Sequence, residues 1–214
     1  MNQSAKHTTS STTDKTYSFS ALAKFEGTSM QNVSFIRMRD GSAAEYSFLE
    51  ELEREYAKKL PERIENQLQK LESSLSGYQV ARLEHSLQSA TRAYQDGRST
   101  DYVVAALIHD IGDELAPYSH SELAAAIIHP YVEERLYWIV KTHGVFQQFY
   151  YGEQSGIDKN ARDIYKGHQW FDDAVEFCEK YDENCFDPQY TSKPLSFFRP
   201  MLQEVFTREP EFAE

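Results

Sequence analysis

LEHSLQSATRAYQDGRSTDYVVAALIHDIG, residues 83–112, reads as two helices joined by a short turn. Leu83, Leu87, Ala90 and Tyr94 recur at three- and four-residue steps, the spacing of one helical face. With Val80 before them, they predict a helix over about 79–96. Gly97 follows as a natural C-terminal stop. Ser99 or Thr100 then opens a second, apolar helix through VVAALI. That helix ends in His109-Asp110, with Gly112 just beyond.

The same period extends in both directions. Upstream, Ser42 and Glu45 have the spacing of a capping box. Phe48, Leu49, Leu52 and Tyr56 then share a face. Pro61 suits the first turn of the next helix, where Ile64, Leu68, Leu71 and Leu75 continue until Gly77. Downstream, Pro117 breaks the chain and Ser119 or Ser121 starts a segment with Leu123, Ala124 and Ile127. Pro130 opens another with Val132, Leu136, Ile139 and Val140, which Gly144 is expected to close. Residues 145–160 are expected to be a helix fragment plus loop. Helices near 168–183 and 195–206 complete the pattern. No convincing strand alternation appears, so the predicted class is all-α, a single helical bundle. Residues 1–29, rich in Ser, Thr and Lys, read as a disordered tail. Residues 30–76 read as an N-terminal helical extension, 77–190 as the main domain, and 191–214 as a C-terminal helix and tail.

Composition narrows the function. The 214 residues carry 34 acidic against 22 basic side chains, a net charge of −12. Nucleic acid and anionic membrane surfaces are therefore disfavoured as partners, since both call for a basic face. No apolar run is long enough to span a bilayer, and the N-terminus lacks a signal peptide's apolar stretch. A cytoplasmic protein is the expectation. Cys178 and Cys185, placed on one helix, would stand too far apart to bridge; two half-buried reduced thiols are expected.

The histidines carry the chemistry. Of seven, five lie between 85 and 143. A lone histidine on an apolar helix is ordinarily a core or rim residue. An adjacent His-Asp pair at a helix terminus is different, because imidazole and carboxylate together suit Fe, Mn, Zn or Ni. Glu84, Glu122 and Asp113 are candidates to orient the ligating imidazoles.

His85, His109-Asp110 and a late Asp resemble the H…HD…D signature of the HD-domain superfamily, all-α metalloproteins that are mostly phosphohydrolases. His120 and His143, lying between the HD pair and the late Asp, resemble the subset that holds two metals. By that resemblance Asp110 bridges the ions. His85, His109 and a late Asp complete one site, and His120 and His143 the other. Asp182 is the choice for the late Asp, with Asp172 and Asp173 as rivals. The resemblance covers roughly 78–190.

The context EHSLQSA around His85, and the single compact domain, are similar to the small HD oxygenases, among them inositol oxygenase and the phosphonate-cleaving enzymes. These imply two iron ions, Fe(II)/Fe(III), a small hydroxylated substrate and O2, with hydrogen removed from the hydroxyl-bearing carbon. The alternative is a phosphohydrolase using Mn, Zn or Ni on a phosphoester or nucleotide. Where the phosphonate enzymes place cationic contacts (a His four after the first His of HD, a Lys four after the last metal His, an Arg three before the late Asp), this chain has Asp113, Gln147 and Glu179. Inositol oxygenase has a Lys at the first of these positions. Such a pocket suits a neutral or cationic substrate better than a phosphonate. A cation could meet Asp113 and the aromatic set Phe146, Phe149, Tyr150 and Tyr151. Tyr78, seven before His85, is a candidate gate over one metal position. It stands where the phosphonate enzymes have a Glu, and Leu75 stands where they have their Tyr.

Overall fold

The computed structural model describes residues 30–211, so the tail predicted for 1–29 lies outside the described residues. Every regular element among them is helical. The eight α-helices are α1 (Ala43–Ala57), α2 (Leu60–Lys70), α3 (Arg82–Gln95), α4 (Thr100–Ile108), α5 (His120–Ile128), α6 (Glu134–Ser155), α7 (Phe171–Tyr181) and α8 (Leu195–Phe206). No helix among the described residues is long and apolar enough to cross a membrane.

The chain divides into two compact units, one ending at Leu49 and the other running from Glu50. In the first, the capping box forms at the start of α1. The Glu45 amide donates to Ser42 Oγ at 3.3 Å, and the Ser42 amide donates back to Glu45 Oε2 at 2.8 Å. Ser34 adds two more hydrogen bonds, from its amide and hydroxyl to Glu45 Oε1. Together these hydrogen bonds hold the Glu45 carboxyl down to about 2.

In the second unit α4 is the central element. Tyr102 to Ile108 are all buried, with no exposed face. An apolar helix without a polar stripe finds its lowest free energy surrounded by other helices, and α3, α6 and α8 pack around it. Ser99 caps its start, accepting from the Tyr102 amide at 3.3 Å. Further pairings run α5 with α6, α6 with α7, and α3 with α7. The C-terminus of α4 therefore opens into the space between α3, α6 and α7. The second unit takes in 50–76 and 191–214 together with 77–190, and α2 and α8 pack on each other within it.

Three boundaries depart from expectation: α2 stops at Lys70, a single 3-10 turn follows it and Leu75 lies outside, Pro130 sits in a 3-10 turn with α6 opening only at Glu134, and Gly144 is passed over. Gly144 does not end a helix, because α6 runs unbroken to Ser155 and stops at Gly156, whose φ is +71°. Glycine in a helix interior costs roughly 1 kcal/mol relative to alanine. Here α5 packs against that face: a Cβ at Gly144 would lie 3.8 Å from both His120 Nε2 and Ser121 Oγ. Tertiary packing overrides the local stop signal. Residues 145–155, expected to be partly loop, extend α6.

Candidate metal centre

Six side chains converge where the α4 terminus opens. His85 comes from α3, His109 and Asp110 from the end of α4, His120 from the first turn of α5, and His143 from mid-α6. Asp182 follows the last residue of α7, with φ −131° and ψ −72° as the chain leaves the helix. All except His120 are buried.

The donor atoms fall into two groups around Asp110. Its Oδ2 lies 3.1 Å from His85 Nε2 and 3.3 Å from His109 Nε2. Its Oδ1 lies 3.2 Å from His143 Nε2 and 3.4 Å from His120 Nε2. Asp182 Oδ1 joins the first group, 3.5 Å from His85 Nε2 and 3.7 Å from His109 Nε2. Ligand atoms held at about 2.1 Å from a shared ion stand roughly 3.0–3.4 Å apart at octahedral or tetrahedral angles. The observed spacings are of that size.

Hydrogen bonding behind the rings sets their tautomers. His85 Nδ1 faces the Cys185 carbonyl at 3.1 Å, His109 Nδ1 the Ala106 carbonyl at 2.7 Å, and His143 Nδ1 the Val140 carbonyl at 2.6 Å. A carbonyl only accepts, so each Nδ1 carries the proton and each Nε2 presents a lone pair. Yet His85 Nε2 faces His109 Nε2 at 3.0 Å, and His120 Nε2 faces His143 Nε2 at 3.3 Å. At His85 and His109, both tied through Nδ1, two lone pairs would face each other, which is unfavourable unless a proton or a metal cation lies between them. Asp182 Oδ2 is buried without a hydrogen-bond partner, and such an orphan costs about 1–3 kcal/mol or more when charged. These His and Asp groups could hold a metal cation.

The local field is cation-seeking. Burial alone would raise the Asp110 carboxyl, but His109 and Arg82 outweigh it and hold it well below the usual carboxylate range. Burial opposes charge on His109, yet Asp110 and Asp182 hold that imidazole well above its ordinary value. Burial dominates at His120 and pushes it down.

The surrounding residues fall differently from the sequence expectation. Asp113 sits in the group, its Oδ1 3.6 Å from His120 Nδ1. Gln147 donates from Nε2 to Asp182 Oδ1 at 2.6 Å, so it supports a ligand rather than facing an open pocket. Phe146 is fully buried core, packed among Trp138, Tyr165 and Phe171, and does not line a substrate site. Tyr150 is half-buried against the same core. Phe149 is partly exposed and carries the Arg162 guanidinium 3.7 Å above its ring. Glu179 is exposed on α7. Tyr78 is half exposed and stacks on Phe186, which stacks on His85, and the Arg82 guanidinium lies 5.4 Å from its ring centroid. Of the rivals to Asp182, Asp173 pairs with Arg135 at 3.1 Å and Asp172 is exposed. Glu84 accepts from Gln88 at 3.3 Å and Glu122 is exposed, so of the three expected supports only Asp113 stands behind a ring. Cys178 and Cys185 are free and fully rather than half buried.

Two contributors escaped the sequence reading. Arg82, three residues before His85, reaches Asp110 Oδ2 with Nη2 and Asp113 Oδ2 with Nε at 2.6 Å. The i, i+3 spacing to His85 put it on the ligand face, and only its charge argued for the surface. Tyr181 is fully buried, donates to Asp96 Oδ2 at 2.9 Å and accepts from Arg98 Nε at 2.8 Å. It anchors the α7 end from which Asp182 departs.

Gly112 shapes the second group. A Cβ there would sit 2.5 Å from the His120 carbonyl oxygen and 2.7 Å from its Cα. Both contacts are backbone and cannot swing aside. Gly112→Ala is expected to cost about 1–3 kcal/mol by overpacking and to displace His120. Thermal melts and metal analysis would show a lowered midpoint with reduced metal content. A variant with an unchanged midpoint and full metal content would refute the close approach.

A scan against protein-family models gives no match for this chain, and a comparison with curated proteins gives none either.

Proposed function

We propose that this chain is a dinuclear metalloenzyme of the HD type that uses O2 to oxidise a small, neutral hydroxylated substrate at its hydroxyl-bearing carbon. The carrying observation is the division of the Asp110 carboxylate, with one oxygen toward each pair of facing imidazoles. His85, His109, Asp182 and Asp110 Oδ2 would hold one ion. Asp110 Oδ1, His120 and His143 would hold the other. A mixed-valent iron pair, when bound, supplies activation of O2 and of the substrate hydroxyl.

The chain's own residues do the rest. The three carbonyl-tied imidazoles keep their Nε2 lone pairs directed inward. The first group lies in a dry interior, where His85, His109 and Asp182 have no exposed surface. Low dielectric there strengthens the hold of ionised carboxylates on a cation. The second group has three protein donors instead of four, and its His120 side chain is 25% exposed. That open side is where a small molecule would arrive. The cation at the centre, Arg82, is already committed to two carboxylates, so it offers little to a phosphate or phosphonate. With Phe146 in the core and Asp113 paired to Arg82, a cage for a substrate cation is also incomplete. Both points favour a neutral substrate.

Anaerobically purified protein would test this by metal analysis and low-temperature EPR after partial reduction. Two irons per chain with a coupled mixed-valent signal are expected. Manganese, zinc or nickel, or iron without that signal, would overturn the oxidative reading in favour of phosphoester hydrolysis on the same donors.

A further inference from the structure

Three imidazoles of the centre are tied to main-chain carbonyls, and His120 is the exception. Behind its ring stands a carboxylate, Asp113 Oδ1, 3.6 Å from Nδ1. The other oxygen of Asp113 accepts from Arg82 Nε at 2.6 Å, and the far side of the same guanidinium meets Asp110 Oδ2. Arg82 and Asp113 are both largely withdrawn from solvent, at 9% and 12% side-chain exposure. An Arg–carboxylate contact this dry holds its geometry better than a surface pair. One oxygen of Asp113 is thus held by the guanidinium, and the other faces the imidazole just beyond hydrogen-bond distance.

We propose that Asp113 is a positioning residue for His120, orienting it with Nδ1 protonated and Nε2 aimed at the second metal group, while Arg82 fixes Asp113. This rests on the dinuclear reading given above. A carboxylate behind a ligating imidazole sets the ring's orientation and raises its basicity. His120 needs such a partner most. It sits in the first turn of its helix, has no carbonyl behind Nδ1, and is the most exposed of the four rings. Asp113 follows Asp110 by three residues in the turn after α4, so one guanidinium reaches both carboxylates. A consequence concerns selectivity: the Asp113 charge is already paired with Arg82, so it does not serve as a free counter-ion for an ammonium substrate.

The test is an anaerobic titration of the metal-free full chain with Fe(II), followed by calorimetry and by metal analysis after desalting. Wild-type protein is expected to take two ions. Asp113→Ala is expected to leave the first ion's affinity unchanged and to weaken the second by about 10–100-fold. Asp113→Asn keeps an acceptor for the His120 Nδ1–H, so its second-ion affinity is expected to lie between those of wild type and Asp113→Ala. If the alanine variant does not fold, the near-isosteric Asn variant carries the test, with a severalfold loss confined to the second ion. A merely structural role would weaken both ions together. That result, or a second-ion affinity within twofold of wild type in both variants, overturns the proposal. Wild-type protein binding a single ion would instead overturn the dinuclear reading, and the two failures are distinguishable.

Discussion

On the proposed dinuclear reading, Asp110→Ala is expected to abolish stable binding of both metal ions, not one. Each oxygen of this carboxylate faces a different imidazole pair, so its removal takes a donor from each group at once. The second group falls from three protein donors to two. The first keeps His85, His109 and Asp182 but loses the oxygen nearest both of its imidazoles. The variant also leaves Arg82 with Asp113 as its remaining carboxylate partner here, and breaking a buried pair by deleting one member costs about 3–5 kcal/mol. Metal analysis should therefore be run alongside circular dichroism, with Asp110→Asn as the gentler companion. The expected result is a folded Asn variant holding less than one ion per chain. Two ions retained per folded chain would show that Asp110 does not bridge.

Phe146→Ala separates core from pocket. The ring has no exposed surface and packs against Trp138, Tyr165 and Phe171, with centroid separations of 5.7, 6.0 and 5.2 Å. Truncating a buried phenylalanine costs about 3–5 kcal/mol, from lost transfer free energy plus the cavity left behind. For a unit of this size each kcal/mol lowers the midpoint by roughly 2–4 °C, so a fall on the order of 10 °C is expected in a thermal melt. Well below the new midpoint, metal content should match wild type, because His143 is held by the Val140 carbonyl and by Asp110. A midpoint within 1 °C of wild type would mean that the ring lines an open pocket.

The two aromatic readings differ for a physical reason. Phe146, Phe149 and Tyr150 occupy consecutive positions around one helix, and local sequence does not say which neighbour each will meet. A stop at Gly144 would leave residues 145–160 partly as loop, with their neighbours unfixed. Because α6 runs through to Ser155, Phe146 packs with Trp138, Tyr165 and Phe171, while Phe149 turns toward solvent and Arg162. Glycine's cost in a helix is small beside the packing of α5 on that face.

Sequence by itself determined the helices with clear periodicity, among them α3, α4 and α8, the capping box at the start of α1 and the Ser99 cap of α4, because these depend on contacts within a few residues. It also determined which side chains could serve as hard metal donors. Only the tertiary structure decided how those donors are shared. The split of Asp110 between two imidazole pairs, the approach of Asp182 to His85 and His109, and the burial of Arg82 against two carboxylates all join residues from different helices. No local rule reports such distances. Burial of a guanidinium in particular runs against its usual surface preference, and becomes favourable only when two carboxylates from another segment arrive to meet it.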